Sequence, residues 1–142
     1  MSFHSLLISH AVLTSSAFLL FFPLGALLTG LNLPIPLLSY YAPSQILALL
    51  LSVAGVSVGI PLAHLLGYSI SANAHTIIGL AVVFSLLAFQ PIGGWLQHRY
   101  NKRYAGRGVQ GTLHVWSGRA IIVLGIVNGG AGLADGGGYR AR

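Results

Sequence analysis

The chain has 142 residues, of which 7 are Lys or Arg and only 1 is Asp or Glu, so 6% are charged where a soluble domain carries roughly 25%. Hydrophobic residues make up 55% and mean hydropathy is +0.82. A soluble globular domain, a disordered tail and a soluble nucleic-acid binder are all excluded, because the polar groups to cover a surface or carry a basic face are missing, even at a net charge of +6.

With no cysteine there is no disulfide framework and no thiolate metal site. Four apolar stretches are each long enough to cross a bilayer, which takes about 20 helical residues. They lie near 7–30, 43–66, 74–97 and 112–133, and none holds an acidic residue. Their apolar residues run continuously rather than alternating, and in lipid a span must satisfy its own backbone hydrogen bonds, so helices follow. The expected fold class is all-α, a polytopic transmembrane bundle of four membrane-spanning helices.

In chain order, the first span holds His10 and closes on Phe22-Pro23-Leu24-Gly25. It reads as a span rather than a signal peptide, since no basic stretch precedes it and it is longer than such a peptide needs. Residues 31–42 form a loop with Pro34 and Pro36, and Pro43 fits the first turn of the second span. Ser69 to Asn73 is a short polar turn. The third span opens at His75 and closes on Gln90-Pro91-Ile92-Gly93. A basic loop at 98–111 follows, with Arg99, Lys102, Arg103 and Arg107. The fourth span opens at His114 and holds Arg119, the only basic residue within a span. Residues 135–142 read as a flexible tail after Gly136, Gly137 and Gly138. Four of the seven basic residues share one short loop, so loop 98–111 is expected to be cytoplasmic and both termini non-cytoplasmic.

Ionisable residues within a span are costly and mark function by default. Because successive spans alternate in direction, the first and third run parallel, so His10 and His75, near their starts, fall at one depth near the face of the N-terminus. His114 lies near the opposite face. Two histidines on different helices at one depth suit the two axial positions of a haem iron. Zinc would want three or four converging ligands, and the one side-chain carboxylate, Asp135, is in the tail. An interfacial histidine bonded to a carbonyl is the plainer account of each one alone. Matched depth, and the shared run of histidine, apolar helix and Pro-x-Gly, weigh against it. Gly55-x-x-x-Gly59 and Gly125-x-x-x-Gly129 read as close-packing faces, with room for a porphyrin edge as the functional alternative.

These residues resemble the cytochrome b561 domain, in the fungal form associated with a DOMON haem domain. The matching stretches are His10-Ala-Val-Leu with Phe22-Pro23-Leu24-Gly25-Ala26, Gln45 with Ala54 to Ile60, His75-Thr-Ile-Ile-Gly-Leu with Gln90-Pro91-Ile92-Gly93, and His114-Val-Trp-Ser-Gly-Arg119 with Val127-Asn128-Gly129-Gly130. They cover about 7–134, which would form one cytochrome b561-like transmembrane domain. The resemblance implies two b-type haems, one near each face, and one-electron transfer across the membrane, with ascorbate a common donor. By it, His10 and His75 would bind iron in one haem, His114 in the other, and Arg119 could pair with a propionate.

The sequence departs from that pattern at Tyr41, where the family has a histidine four residues before the glutamine of span two. A tyrosinate can bind ferric haem, and His98 is a candidate substitute. His64 ends span two on the wrong face. One haem b is therefore expected and the second site is expected to be impaired. Expected partners are the bilayer and an electron donor such as a DOMON-type haem domain, and a homodimer is an admissible assembly. The activity implied is that of a transmembrane electron-transfer oxidoreductase. A haem-poor structural membrane protein is the alternative. A small histidine-using transporter is the third reading, disfavoured by the lack of acidic residues in the spans.

Overall fold

The computed structural model describes residues 2–28, 37–69, 71–104 and 108–139, and for 37–40 and 135–139 the backbone alone. It is all helix: α1 (Phe3–Ser15), a π-helical stretch (Ser16–Phe21), α2 (Phe22–Leu28), α3 (Leu37–Leu65), α4 (Ala74–Tyr104) and α5 (Val109–Tyr139). The first three run on as one rod. Four helices are thus long and apolar enough to cross a membrane, over Phe3–Leu28, Tyr41–Leu65, Ala74–Tyr104 and Val109–Ala134. Their outer surfaces carry exposed Leu20, Leu50, Phe84, Phe89, Trp116 and Val127. Such a surface is a liability in water and the expected one against lipid.

The helix ends follow local chemistry. Ser2 caps α1, its Oγ accepting from the Ser5 N–H at 3.2 Å. Asn73 caps α4, its Oδ1 accepting from the Thr76 N–H at 2.9 Å. The α3 C-terminus closes at Gly67, whose φ of 70° favours glycine. There the Gly67 N–H donates to His64 O and the Tyr68 N–H to Ala63 O, at 3.1 and 3.0 Å.

The helices run past several expected boundaries. α3 starts at Leu37, so Pro43 lies well inside it rather than in its first turn. α4 continues to Tyr104, so His98, Arg99, Lys102 and Arg103 stand on its last turns and not in a loop. α5 continues to Tyr139, through the three glycines expected to begin a loose tail. Of the loop expected at 31–42, residues 37–42 are the first turns of α3, while 31–36 and the tail from 140 lie outside the described residues. Pro23 and Pro91, read as exits, are both inside helices. A proline frees the carbonyl four residues back and pushes against it. Ahead of Pro23 the π-helical stretch widens the turn, with the Phe22 N–H donating to Ala17 O. Gln45 Nε2 on α3 then donates to Phe21 O at 3.3 Å. Neighbouring side chains and local widening are how membrane helices absorb such breaks.

The spans form a ring in chain order. α1 packs on α3, α3 on α4, α4 on α5, and α5 returns to the first rod. Among the described residues the diagonal pairs, α1 with α4 and α3 with α5, make no backbone contact. The midplane interior is filled by Ala17, Phe18 and Phe22 from the first rod, Ala48 from α3, and Val82 and Leu86 from α4. Gly125 of α5 lets this layer close, because a side chain there would meet the Phe18 ring. Gly125→Leu is therefore expected to destabilise the bundle by about 2 kcal/mol, the usual scale of overpacking. Thermal unfolding in detergent checks this, and an unchanged midpoint would show that Phe18 can move aside.

Candidate functional site

His10 and His75 meet across one diagonal. Their ring centres are 6.0 Å apart and their planes stand at 89°. Each ring is half-buried and held by a backbone carbonyl of a third helix. His10 Nδ1 lies 2.8 Å from Gly55 O of α3, and His75 Nδ1 lies 2.9 Å from Asn128 O of α5. A carbonyl only accepts, so Nδ1–H is the donor in both. That fixes the tautomer and leaves each Nε2 with its lone pair. A metal-binding histidine is characteristically held this way through its other nitrogen.

All four helices build this layer. Thr14 Oγ1 donates to His10 O at 2.8 Å, one turn along α1. Two glycines make room for the rings. A Cβ at Gly59 would stand 2.8 Å from His10 Cε1, and one at Gly132 would stand 2.6 Å from His75 Cε1. Gly55 and Gly59 both face α1, as the first Gly-x-x-x-Gly spacing predicted. The second spacing holds at one end only: Gly125 meets Phe18, whereas Gly129 has open space beside it.

His114 sits differently. It lies on α5 against Gly93 and Gly94 of α4, with Nδ1 3.0 Å from where a Gly93 Cβ would be. That Nδ1 is buried with no hydrogen-bond partner. Nearby, Gln90 Nε2 donates to Ser117 Oγ at 3.2 Å, and Ser117 Oγ donates to His114 O at 3.1 Å. No described aromatic or histidine ring meets His114. Tyr41 is half-buried on α3, on the other diagonal, with no described ring contact to it. His98 is exposed on α4. Arg119 is exposed with its guanidinium 5.2 Å from the centre of the Trp116 ring, and it stands about 140° round the helix from His114. The structure thus brings His10 and His75 together and leaves His114 and Arg119 apart from each other.

Three parts of the site escaped sequence reasoning. The carbonyls of Gly55 and Asn128 have no side-chain signature. Gly132 is one of several glycines late in α5, and only packing shows that it is the one beneath His75. Comparison with models of known families, with curated proteins and with solved structures found no match to this chain.

The His10–His75 pair offers two unprotonated imidazole nitrogens, a donor set that could serve as the two axial ligands of one metal. Two imidazoles on opposite sides of one metal, each at about 2 Å from it, have ring centres about 6 Å apart. The observed separation agrees. No third His, Cys, Asp or Glu joins the pair, and no group of three such residues occurs among the described residues. A metal held here alone would lack protein ligands, whereas a haem iron needs only the axial two.

Proposed function

We propose that this membrane protein binds one haem b between His10 and His75 and exchanges single electrons through it. The observation behind this reading is the pair itself: two imidazoles on diagonal helices, ring centres 6.0 Å apart with perpendicular planes, each with Nδ1–H given to a carbonyl and Nε2 left to bind. Bound there, haem supplies reversible one-electron chemistry, and two histidine ligands suit outer-sphere transfer rather than oxygen activation. The chain's own part is to orient both rings, to keep Nε2 unprotonated, and to surround the site with apolar side chains. The hydrogen bonds to Gly55 O and Asn128 O raise ligand basicity and so tune the potential.

This reading goes with the resemblance to the cytochrome b561 domain, with the second of its two haem sites impaired. His114 has neither a facing histidine nor a bonded Nδ1. By the positive-inside rule, Arg99, Lys102 and Arg103 face the cytoplasm, and the His10–His75 layer lies near the other surface. An electron donor on that side, such as a DOMON-type haem domain, would be the natural partner.

The test is a dithionite-reduced minus oxidised visible spectrum of detergent-purified, haem-supplied protein, with haem counted per chain. A low-spin b-type spectrum at about one haem per chain is expected. Two haems would mean that His114 finds a second ligand and that a transmembrane relay exists. No haem in folded protein would overturn the reading and leave a structural membrane protein.

A further inference from the structure

The end of the bundle opposite the histidine pair carries positive charge that the chain cannot neutralise. Arg99, Lys102 and Arg103 stand on the last turns of α4, all exposed. With Tyr100, Tyr104 and Gln110 they line a cleft of ≈ 550 Å³ between the end of α4 and the first turn of α5. The sequence has one acidic side chain, Asp135, and it belongs to the far end of α5. Among the described residues no ion pair to these three cations is seen, so a countercharge from a bound anion suits them.

Depth and shape indicate its source. Trp95 lies 20 residues after His75, roughly 30 Å along the helix, which is the thickness of the hydrocarbon core. Trp95 thus marks the interface, where tryptophan and tyrosine collect. Arg99 lies over it, 4.8 Å from the ring centre. The Tyr100 and Tyr104 rings pack at 4.8 Å just beyond. The cationic turns therefore stand at phosphate depth. Arg103, Arg99, Leu96 and Ile92 follow one another at helical spacing on one face. Leu96 and Ile92 are exposed, at 40% and 58%. A basic head above an apolar stem matches an anion that has an acyl chain below it. A soluble anion would have no use for the stem.

We propose that this cleft binds the headgroup phosphate of an anionic phospholipid. The guanidinium groups of Arg99 and Arg103 offer paired donors to its oxygens, Lys102 adds a point charge, and the acyl chain lies along Leu96 and Ile92. Basic pockets at membrane helix ends recognise lipid headgroups in this manner. The site is separate from the histidine layer and does not depend on haem.

The test is native mass spectrometry of the full chain in non-ionic detergent, offered equal amounts of phosphatidylglycerol and phosphatidylcholine. Wild type is expected to retain phosphatidylglycerol preferentially. Lys102→Gln/Arg103→Gln is expected to lower that affinity about 30-fold, and Arg99→Gln alone about fivefold, by the usual weight of a basic residue near an anionic surface. Should the double variant lose its helical circular dichroism, the single variant carries the comparison. Arg140→Gln/Arg142→Gln removes the same charge elsewhere and is expected to change nothing. Equal retention of both lipids, or equal losses from the two double variants, would overturn the proposal. Displacement of phosphatidylglycerol by inorganic phosphate, beyond that by chloride at matched ionic strength, would make the ligand a free anion and also overturn it.

Discussion

His75→Ala is expected to abolish the low-spin haem b spectrum, and His10→Ala to do the same, while His114→Ala leaves it intact. On the proposed reading, each of the first two would remove one of two axial nitrogens, from a pair whose ring centres are 6.0 Å apart. The remaining histidine could hold iron only on one side, so binding weakens and the low-spin signature disappears. His114 faces no second ring, and its loss removes a buried nitrogen that has no partner. The three variants separate ligation from general damage. If His114→Ala lost the haem while His75→Ala kept it, the site would belong at the opposite face.

Gly132→Leu is expected to empty the same site without touching a ligand, whereas Gly129→Leu is expected to leave it loaded. Both add one side chain to the same stretch of α5, where replacing glycine favours the helix by up to about 1 kcal/mol. Their surroundings decide the outcome. A Cβ at 132 falls 2.6 Å from His75 Cε1 and 3.0 Å from Nε2, so the ring must turn or the helix must move. Turning the ring breaks its hydrogen bond to Asn128 O and swings Nε2 away. At 129 nothing lies within 4 Å. Haem per chain should fall at least tenfold in the first variant and stay near wild type in the second, since 1.4 kcal/mol of lost binding already gives a factor of ten. Equal haem content in the two would show that the packing around His75 is loose and would remove the glycine cradle from the account.

These expectations depend on a layered interior. The histidine pair occupies one end, a plug of Phe18, Phe22, Val82 and Leu86 fills the middle, and Gln90, Ser117 and His114 form a polar layer at the other end. If haem is bound at the first layer as proposed, an apolar midplane would separate it from His114, which has no facing ring. Such a bundle suits exchange at one face. Both Pro-x-Gly pairs act at the end away from the histidine pair, and in one way. Gly25 makes space for the Gln45 side chain and Gly93 for the His114 ring, so each repeat lets a polar group from a neighbouring span into the interior.

The sequence by itself determined the class of molecule. Eight charged residues among 142 cannot surface a soluble fold, and four long apolar runs in lipid can satisfy their backbones only as helices. It also placed His10 and His75 at one depth, because the first and third of four alternating spans run parallel and each opens with a histidine on the same side. What it could not supply was rotation about each helix axis. The spans are apolar all round, so no stripe shows which face turns inward. Only packing decided that Gly55, Gly59, Asn128 and Gly132 surround the two rings, that Gly129 does not, and that Arg119 lies over Trp116 on the outer surface. The helices run past some of the expected span ends for a related reason. Prolines and glycines signal breaks in water, where freed carbonyls are solvated. In a bundle, a π-helical turn accommodates Pro23, and α4 and α5 run on through Pro91 and Gly136.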